Sequence, residues 1–317
     1  MRIAGFLVNL VLLFFPLSVI ISCQKETDEI IETPENVPPV VNAGPVLSTT
    51  LPADSVTLSG SATDSDGTVV AYLWSQVSGP AASVIVNPGS ATAKVKGLVQ
   101  GAYIFQLMAT DNKGATGVDT TSVLVNPSPI QTLTLQPANN PTEFLMVNHN
   151  GVPISGSGSV DIPIEAWTSG GTPYTVRSLL KFDLSSVPTN ANIVSAHLYL
   201  YSYPSPTLNG NFTDANFGTA NSFTVQRVTA NWSPGSTNWF NQPPVTTANQ
   251  VVVPHTSQSV LDLDLDVKNM ISPMINSDNY GFLMKIENET FYNSRIFVSS
   301  YNTAYPAKRP KLVVVYQ

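Results

Sequence analysis

The stretch GAYIFQLMATD, Gly101 to Asp111, alternates in period two, as side chains do on a β-strand. The same pattern recurs on either side of it, in SVTLSG, VVAYLWSQV, ASVIV, AKVKGL and TTSVLVN, with Gly, Pro, Asn and Asp between the runs. Short strands at this spacing predict an all-β sandwich over residues 38–126. Two aromatics fit a particular form of it. Trp74 lies mid-strand, where an immunoglobulin-like sandwich keeps its core tryptophan, and Tyr103 follows Gly101 at a late strand's start, where a tyrosine corner forms.

PPVVNAGP, SGSATDSDGTVVAYLW and GAYIFQLMATDNKGATG resemble a PKD (polycystic kidney disease) domain. The resemblance implies a spacer or a modest adhesion module beside a binding or catalytic domain. Asp64-Ser65-Asp66-Gly67 admits calcium, with Asp111 nearby as in calcium-binding PKD relatives, since calcium takes several oxygen ligands. An EF-hand is excluded because Ser75 stands where its loop requires a bidentate Glu. The same residues also make an Asx turn without a metal.

NPSP, Asn126 to Pro129, is the hinge, with residues 127–130 as linker. Residues 131–317 carry a second set of strands, among them QTLTLQP, SLLKFDL, SAHLYLYSY, YGFLMKI and KLVVVYQ; they predict a jelly-roll-like β-sandwich. KNMISPMI is the one helical hint, and Pro273 is expected to cut it short. RSLLKFDLSSVPTNANIVSAHLYLYS, VQRVTANWSPGSTNWFNQPP, DNYGFLMKIENE and RIFVSSYNTAYPAKRPKLVVVY resemble, in that order, the DNRLRE family, which overlaps carbohydrate-binding module family 96. The resemblance implies polysaccharide binding. The opening LTLQPANNPTEFLMVNHNG departs from the family's Asp-rich first strand.

The N-terminus reads as an export signal over residues 1–22: Arg2, an apolar run from Phe6 to Ile21, then Ser22. Ile20-Ile21-Ser22-Cys23 resembles a bacterial lipobox, which implies an acylated Cys23 and a membrane anchor that two or more chains make stable. A plain secretory signal with an incidental cysteine is the alternative. Residues 23–37 form an acidic stalk whose Gln24-Lys25-Glu26 resembles the export tag of Bacteroidetes surface lipoproteins. Together these predict an outer-membrane or cell-surface location.

Net charge is −7 and no broad basic field exists, which argues against nucleic acid as a partner. Cys23 is the one cysteine, so no disulfide forms within the chain. No Ser/His/acid set, HExxH or P-loop is legible, and His149, His197 and His255 lie in unrelated contexts. The chain is therefore read as a non-enzyme, with an undetected lyase or hydrolase as an alternative and a structural or adhesion protein as another. Within SAHLYLYSY, Ala196, Leu198 and Leu200 point one way and His197, Tyr199, Tyr201 and Tyr203 the other. A row of amphipathic rings suits polysaccharide, because sugar C–H faces stack on aromatic rings while hydroxyls bond the rim.

Arg177 and Lys181 share one face of RSLLKFDL and are candidates to grip an acidic glycan; a structural role for the pair, and core filling for the tyrosines, is the alternative. Trp167, among Gly and Pro turns, reads as an exposed loop aromatic, while Trp232 and Trp239 divide between loop packing and sugar contact. Asp262, Asp264 and Asp266 alternate with leucines and read as a solvated strand edge that resists pairing with other chains.

Overall fold

A computed structural model describes residues 34–206 and 214–317. The export signal, Cys23 and the stalk as far as residue 33 lie outside the described residues.

Both halves are built from β-strands. In the first half, Leu47–Thr50, Thr116–Asn126, Gly101–Asp111 and Val69–Ser78 form a four-stranded sheet in that order, parallel at the first pairing and antiparallel at the others. Val56–Ser59, Thr92–Lys96 and Val84–Val86 form a three-stranded sheet, and Val40–Asn42 pairs with Ser61–Thr63. Tyr103, Phe105, Leu107 and Ala109 are fully buried, while Ile104 on the opposite face is exposed. Burial of a large apolar side chain stabilises by about 1.5–3 kcal/mol, so this alternation fixes which face turns inward.

Trp74 is buried at the centre of this core and its indole N–H donates to the Ala91 carbonyl at 3.2 Å. The Tyr103 hydroxyl accepts from the Val99 N–H at 3.0 Å, four residues upstream, as a tyrosine corner does. Gly60 closes the packing: a Cβ there would stand 2.3 Å from Leu107 and 3.1 Å from the Trp74 ring. Both aromatics thus sit as their sequence contexts predict.

The second half is a two-layer sandwich. One layer has four antiparallel strands in the order Gln131–Leu135, Lys311–Tyr316, Ile193–Leu200 and Leu263–Asp266. The larger layer runs Asn216–Phe217, Asn293–Val298, Asp161–Ser169, Thr172–Leu180, Phe282–Ile286, Phe223–Val228 and Val245–Val253. The hairpin Glu143–His149 and Val152–Gly156 joins this layer beside Thr172–Leu180, turning through Asn150 and Gly151 at positive φ. Ala196, Leu198, Leu200, Leu312 and Val314 of the small layer pack against Leu180, Phe223, Val225, Phe282 and Met284 of the large one. That contact makes the alternate residues of each layer face outward.

Lys268–Asn276 is an α-helix with Met270, Ile271 and Met274 in the same core. It continues three residues beyond Pro273, contrary to the sequence expectation. The proline removes one helical bond, the one to the Asn269 carbonyl, and that carbonyl faces the Asn249 side-chain amide at 3.5 Å instead. Burial of the helix's apolar face holds the rest in place. Among the described residues no helix is long and apolar enough to cross a membrane.

Candidate functional site

The small layer turns His197, Tyr199 and Tyr201 outward, since Leu198 and Leu200 fill the core. In the register, Tyr199 lies between Lys311 and Asp264, and His197 between Val313 and Asp266. The Lys311 ammonium stands 4.2 Å from the Tyr199 ring centroid and 6.0 Å from that of Tyr201. A cation over two half-buried rings holds them by their negative faces and leaves its own charge at the surface. His197 stacks on Tyr199 with centroids 6.2 Å apart, and its Nδ1 meets Asp264 Oδ1 at 2.6 Å. His197, Tyr199 and Tyr201 thus form a half-buried aromatic row on the outer side of the small layer. Asp262, Asp264 and Asp266 are exposed along the edge strand, where their charges oppose pairing with another sheet.

Three sequence expectations need correction. Tyr203 is not part of the row: after Leu200 the chain crosses to the large layer, Ser202 bridges Phe297, and Tyr203 is buried against Ile296, Val298 and Tyr305. Trp167 is not an exposed loop aromatic; it ends a strand of the large layer, is 4% exposed, and packs edge-on against Phe217 and Tyr292. Arg177 and Lys181 do not act together. Lys181 stands one residue past its strand and lines a cleft of 830 Å³ with Asp183, Asp278 and Phe182. Arg177 lies on the outer face of the large layer, across the sandwich from the tyrosines. There its guanidinium stacks over Trp239 at 4.4 Å, makes paired bonds of 2.7 and 2.9 Å to the Glu289 carboxylate, and donates to Gln242 at 2.9 Å. Its charge is met within the protein.

Trp232 packs with Phe144 and donates its N–H to the Tyr280 carbonyl at 2.8 Å, so it is a loop anchor.

Most oxygens of the Asp64, Asp66 and Asp111 carboxylates are engaged within the protein, while the buried Asp64 Oδ2 has no hydrogen-bond partner. Asp111 accepts from the N–H groups of Lys113 and Ala115 and from Asn36, which closes its own turn. Asp66 accepts from the Lys113 ammonium at 2.6 Å, and Lys113 draws the Asp66 carboxyl below its ordinary range. Asp64 Oδ1 accepts the Asp66 N–H, an Asx turn. The Lys113 ammonium thus neutralises Asp66 alone of the three. Among the described residues no three acidic, His or Cys side chains are set to hold a metal.

Sequence reasoning missed two features. One is Lys311, whose placement over the tyrosines depends on a cross-strand register that no local pattern reveals. The other is the loop after Ile286, where Phe291 and Tyr292 are exposed. The local signal for it was two adjacent aromatics inside the polar run ENETFYNS.

Buried acids lie in the same sandwich. Glu143 accepts from the Ser299 hydroxyl and from the Ser300 N–H at 2.9 Å; burial outweighs these bonds and pushes its carboxyl up to about 7. Glu165 is fully buried, and burial, then the Asp161 charge, push it up to about 8. Neither reaches solvent, so both bear on stability rather than on ligand contact.

A family model described as K319L-like, PKD domain matches residues 43–125, and one described as carbohydrate-binding module family 96 matches residues 165–316. The chain is 40% identical over 96 residues to the dyslexia-associated protein KIAA0319-like protein of Mus musculus, covering 30% of this chain and 9% of that protein. The chain thus spans a small part of that relative's length. Among solved structures, the PKD domain from KIAA 1837 protein is 35% identical, with a TM-score of 0.26, over 28% of this chain and 86% of that one. The Bacteroides ovatus SGBP-B, solved in complex with a mixed-linkage heptasaccharide, is 12% identical, with a TM-score of 0.21, over 88% of this chain and all of that one. Trp74 and Tyr103 fall in the first matched segment and the aromatic strip in the second: a PKD domain followed by a carbohydrate-binding module family 96 domain, both of non-catalytic families.

Proposed function

We propose that this is a surface lipoprotein that captures polysaccharide through its C-terminal sandwich, with lipid, stalk and PKD domain as anchor and spacer. The observation that carries the reading is the outward strip of Tyr199 and Tyr201 beneath the Lys311 ammonium, inside the segment matched by the family 96 model. Rings offer stacking to sugar C–H faces, and a surface ammonium offers a charge-assisted bond to a uronate carboxylate or a sulfate. Lys311 takes the role that the sequence offered to Arg177 and Lys181, and the ligand is an acidic glycan. Cys23 carries the acyl chains, which places the protein on the outer membrane facing outward.

Affinity electrophoresis tests the binding. The protein is expected to be retarded in gels containing polygalacturonate or alginate, and a Tyr199→Ala, Tyr201→Ala double variant to run unretarded with unchanged melting temperature. Equal retardation of the variant and the parent would reject the strip. For the anchor, mass spectrometry of native material should show an acylated Cys23 as first residue; an intact leader or free thiol contradicts it.

A second reading, adhesion to another protein, is favoured by one observation. The four-stranded sheet of the PKD domain exposes Leu73, Ile104, Val118 and Leu124, an apolar face of the kind that marks protein contact. Capture of an envelope protein that survives glycosidase treatment and is lost on Val118→Asp would support it; capture unaffected by that change would not.

A further inference from the structure

We infer that the opposite side of the C-terminal sandwich carries a second glycan-binding edge, built on Phe291 and Tyr292 and suited to a neutral polysaccharide. It rests on the reading of this domain as a glycan binder, and it is a separate site from the tyrosine strip.

Phe291 is 45% and Tyr292 52% exposed, yet they are neighbours in a loop between two strands of a well-packed layer. Exposed rings side by side cost hydration free energy unless something covers them. Tyr292 also holds φ at 69°, the left-handed region that bulky side chains avoid. Such strain persists where the surroundings impose it and gathers at binding sites. Here the imposition is visible: the Tyr292 ring packs edge-on against buried Trp167 at 5.4 Å, and Asn293 is tied by its side-chain amide to the Thr290 carbonyl and hydroxyl. The loop is thereby set before any ligand arrives, which lowers the ordering cost of binding.

Phe291 stands between two clefts. One, of 480 Å³, is lined by Tyr292, Thr219 and Asn293; the other, of 350 Å³, by Trp239, Asn148, Asn150 and Glu289. Aromatic rings between planar amides and a hydroxyl are the mixture that a pyranose needs, with apolar C–H faces and a polar rim. Charge then selects the class of sugar. Among the described residues Glu289 is the one charged group lining either cleft, and Arg177 neutralises it through paired bonds. An acidic glycan would meet no cation in the lining, whereas a neutral chain would meet no unpaired charge. The Arg177 network serves to position Trp239 and Glu289, not to grip the ligand.

The test is affinity electrophoresis of the whole protein in gels containing xyloglucan or galactomannan. Retardation of the parent is expected, with about tenfold weaker binding for Phe291→Ala. Tyr292→Gly removes the ring while glycine accepts the positive φ without steric cost; loss of the ring's packing on Trp167 should lower the melting temperature, so binding, expected to fall by a similar factor, is read where circular dichroism shows the variant folded. Parent-like retardation of both variants, or no retardation of the parent by any neutral polysaccharide tried, overturns the inference. The acidic-polysaccharide gels are read separately, so retention there with none here sinks this edge alone.

Discussion

The two sandwiches bury different chemistry. The PKD core is Trp74, Tyr103, Phe105, Leu107 and aliphatic neighbours, and among its described residues only Asp111 and Thr121 are buried polar side chains. The C-terminal sandwich encloses Glu143, Asp161, Glu165 and Arg295 together with many amides and hydroxyls. Arg295 is fully buried, with its guanidinium 5.2 Å from the Phe223 ring; burial lowers its pKa to about 10, so it stays charged at neutral pH. A dry core leaves little to titrate near neutral pH. A polar core specifies its packing at the cost of desolvating each group, and ties stability to protonation.

Removing the centre of the dry core should break the comparison most severely. Trp74→Ala is expected to cost about 3–5 kcal/mol, a large share of a domain's stability, and to unfold the PKD domain while the C-terminal transition stays in place. Differential scanning calorimetry would show one transition lost and one kept; loss of both would mean that the halves do not fold separately.

The next effect separates the halves by pH. Glu143 and Glu165 hold their protons more tightly folded, at about 7 and about 8, than at the ordinary 4.5. Their stabilising contribution is therefore complete below about pH 4.5 and is lost as pH rises through 7 and 8. The C-terminal melting temperature should fall from about pH 5 to about pH 8.5 while the PKD transition barely moves, and Glu165→Gln should flatten the upper part of the fall. A C-terminal transition level across that range would contradict the buried-acid assignment.

A smaller change sharpens the PKD side. Tyr103→Phe keeps the ring and removes the acceptor for Val99, which should cost about 1 kcal/mol and appear as a modest drop in the PKD transition alone.

How much of this the sequence revealed follows the range of each interaction. Trp74 and Tyr103 were legible because a strand's own alternation and a nearby glycine place them. The outward turn of His197, Tyr199 and Tyr201 was legible for the same reason. Tyr203 has the same parity but was misassigned, because the chain leaves the small layer at Ser202 and alternation ends with the strand. Arg177 looked available because its partners, Gln242 and Glu289, lie 65 and 112 residues away. Trp167 looked exposed among its turn residues because its cover, Phe217 and Tyr292, comes from distant parts of the chain. Period two reports which face a residue is on; only the register between distant strands reports what shares that face.

The division of labour between spacer and reader is tested most directly by hydrogen exchange on the whole protein with and without an acidic polysaccharide. Added protection is expected in Ile193–Leu200 and Lys311–Tyr316, the strands beneath the tyrosine strip, with the PKD strands unchanged. Protection confined to residues 40–126 would contradict it.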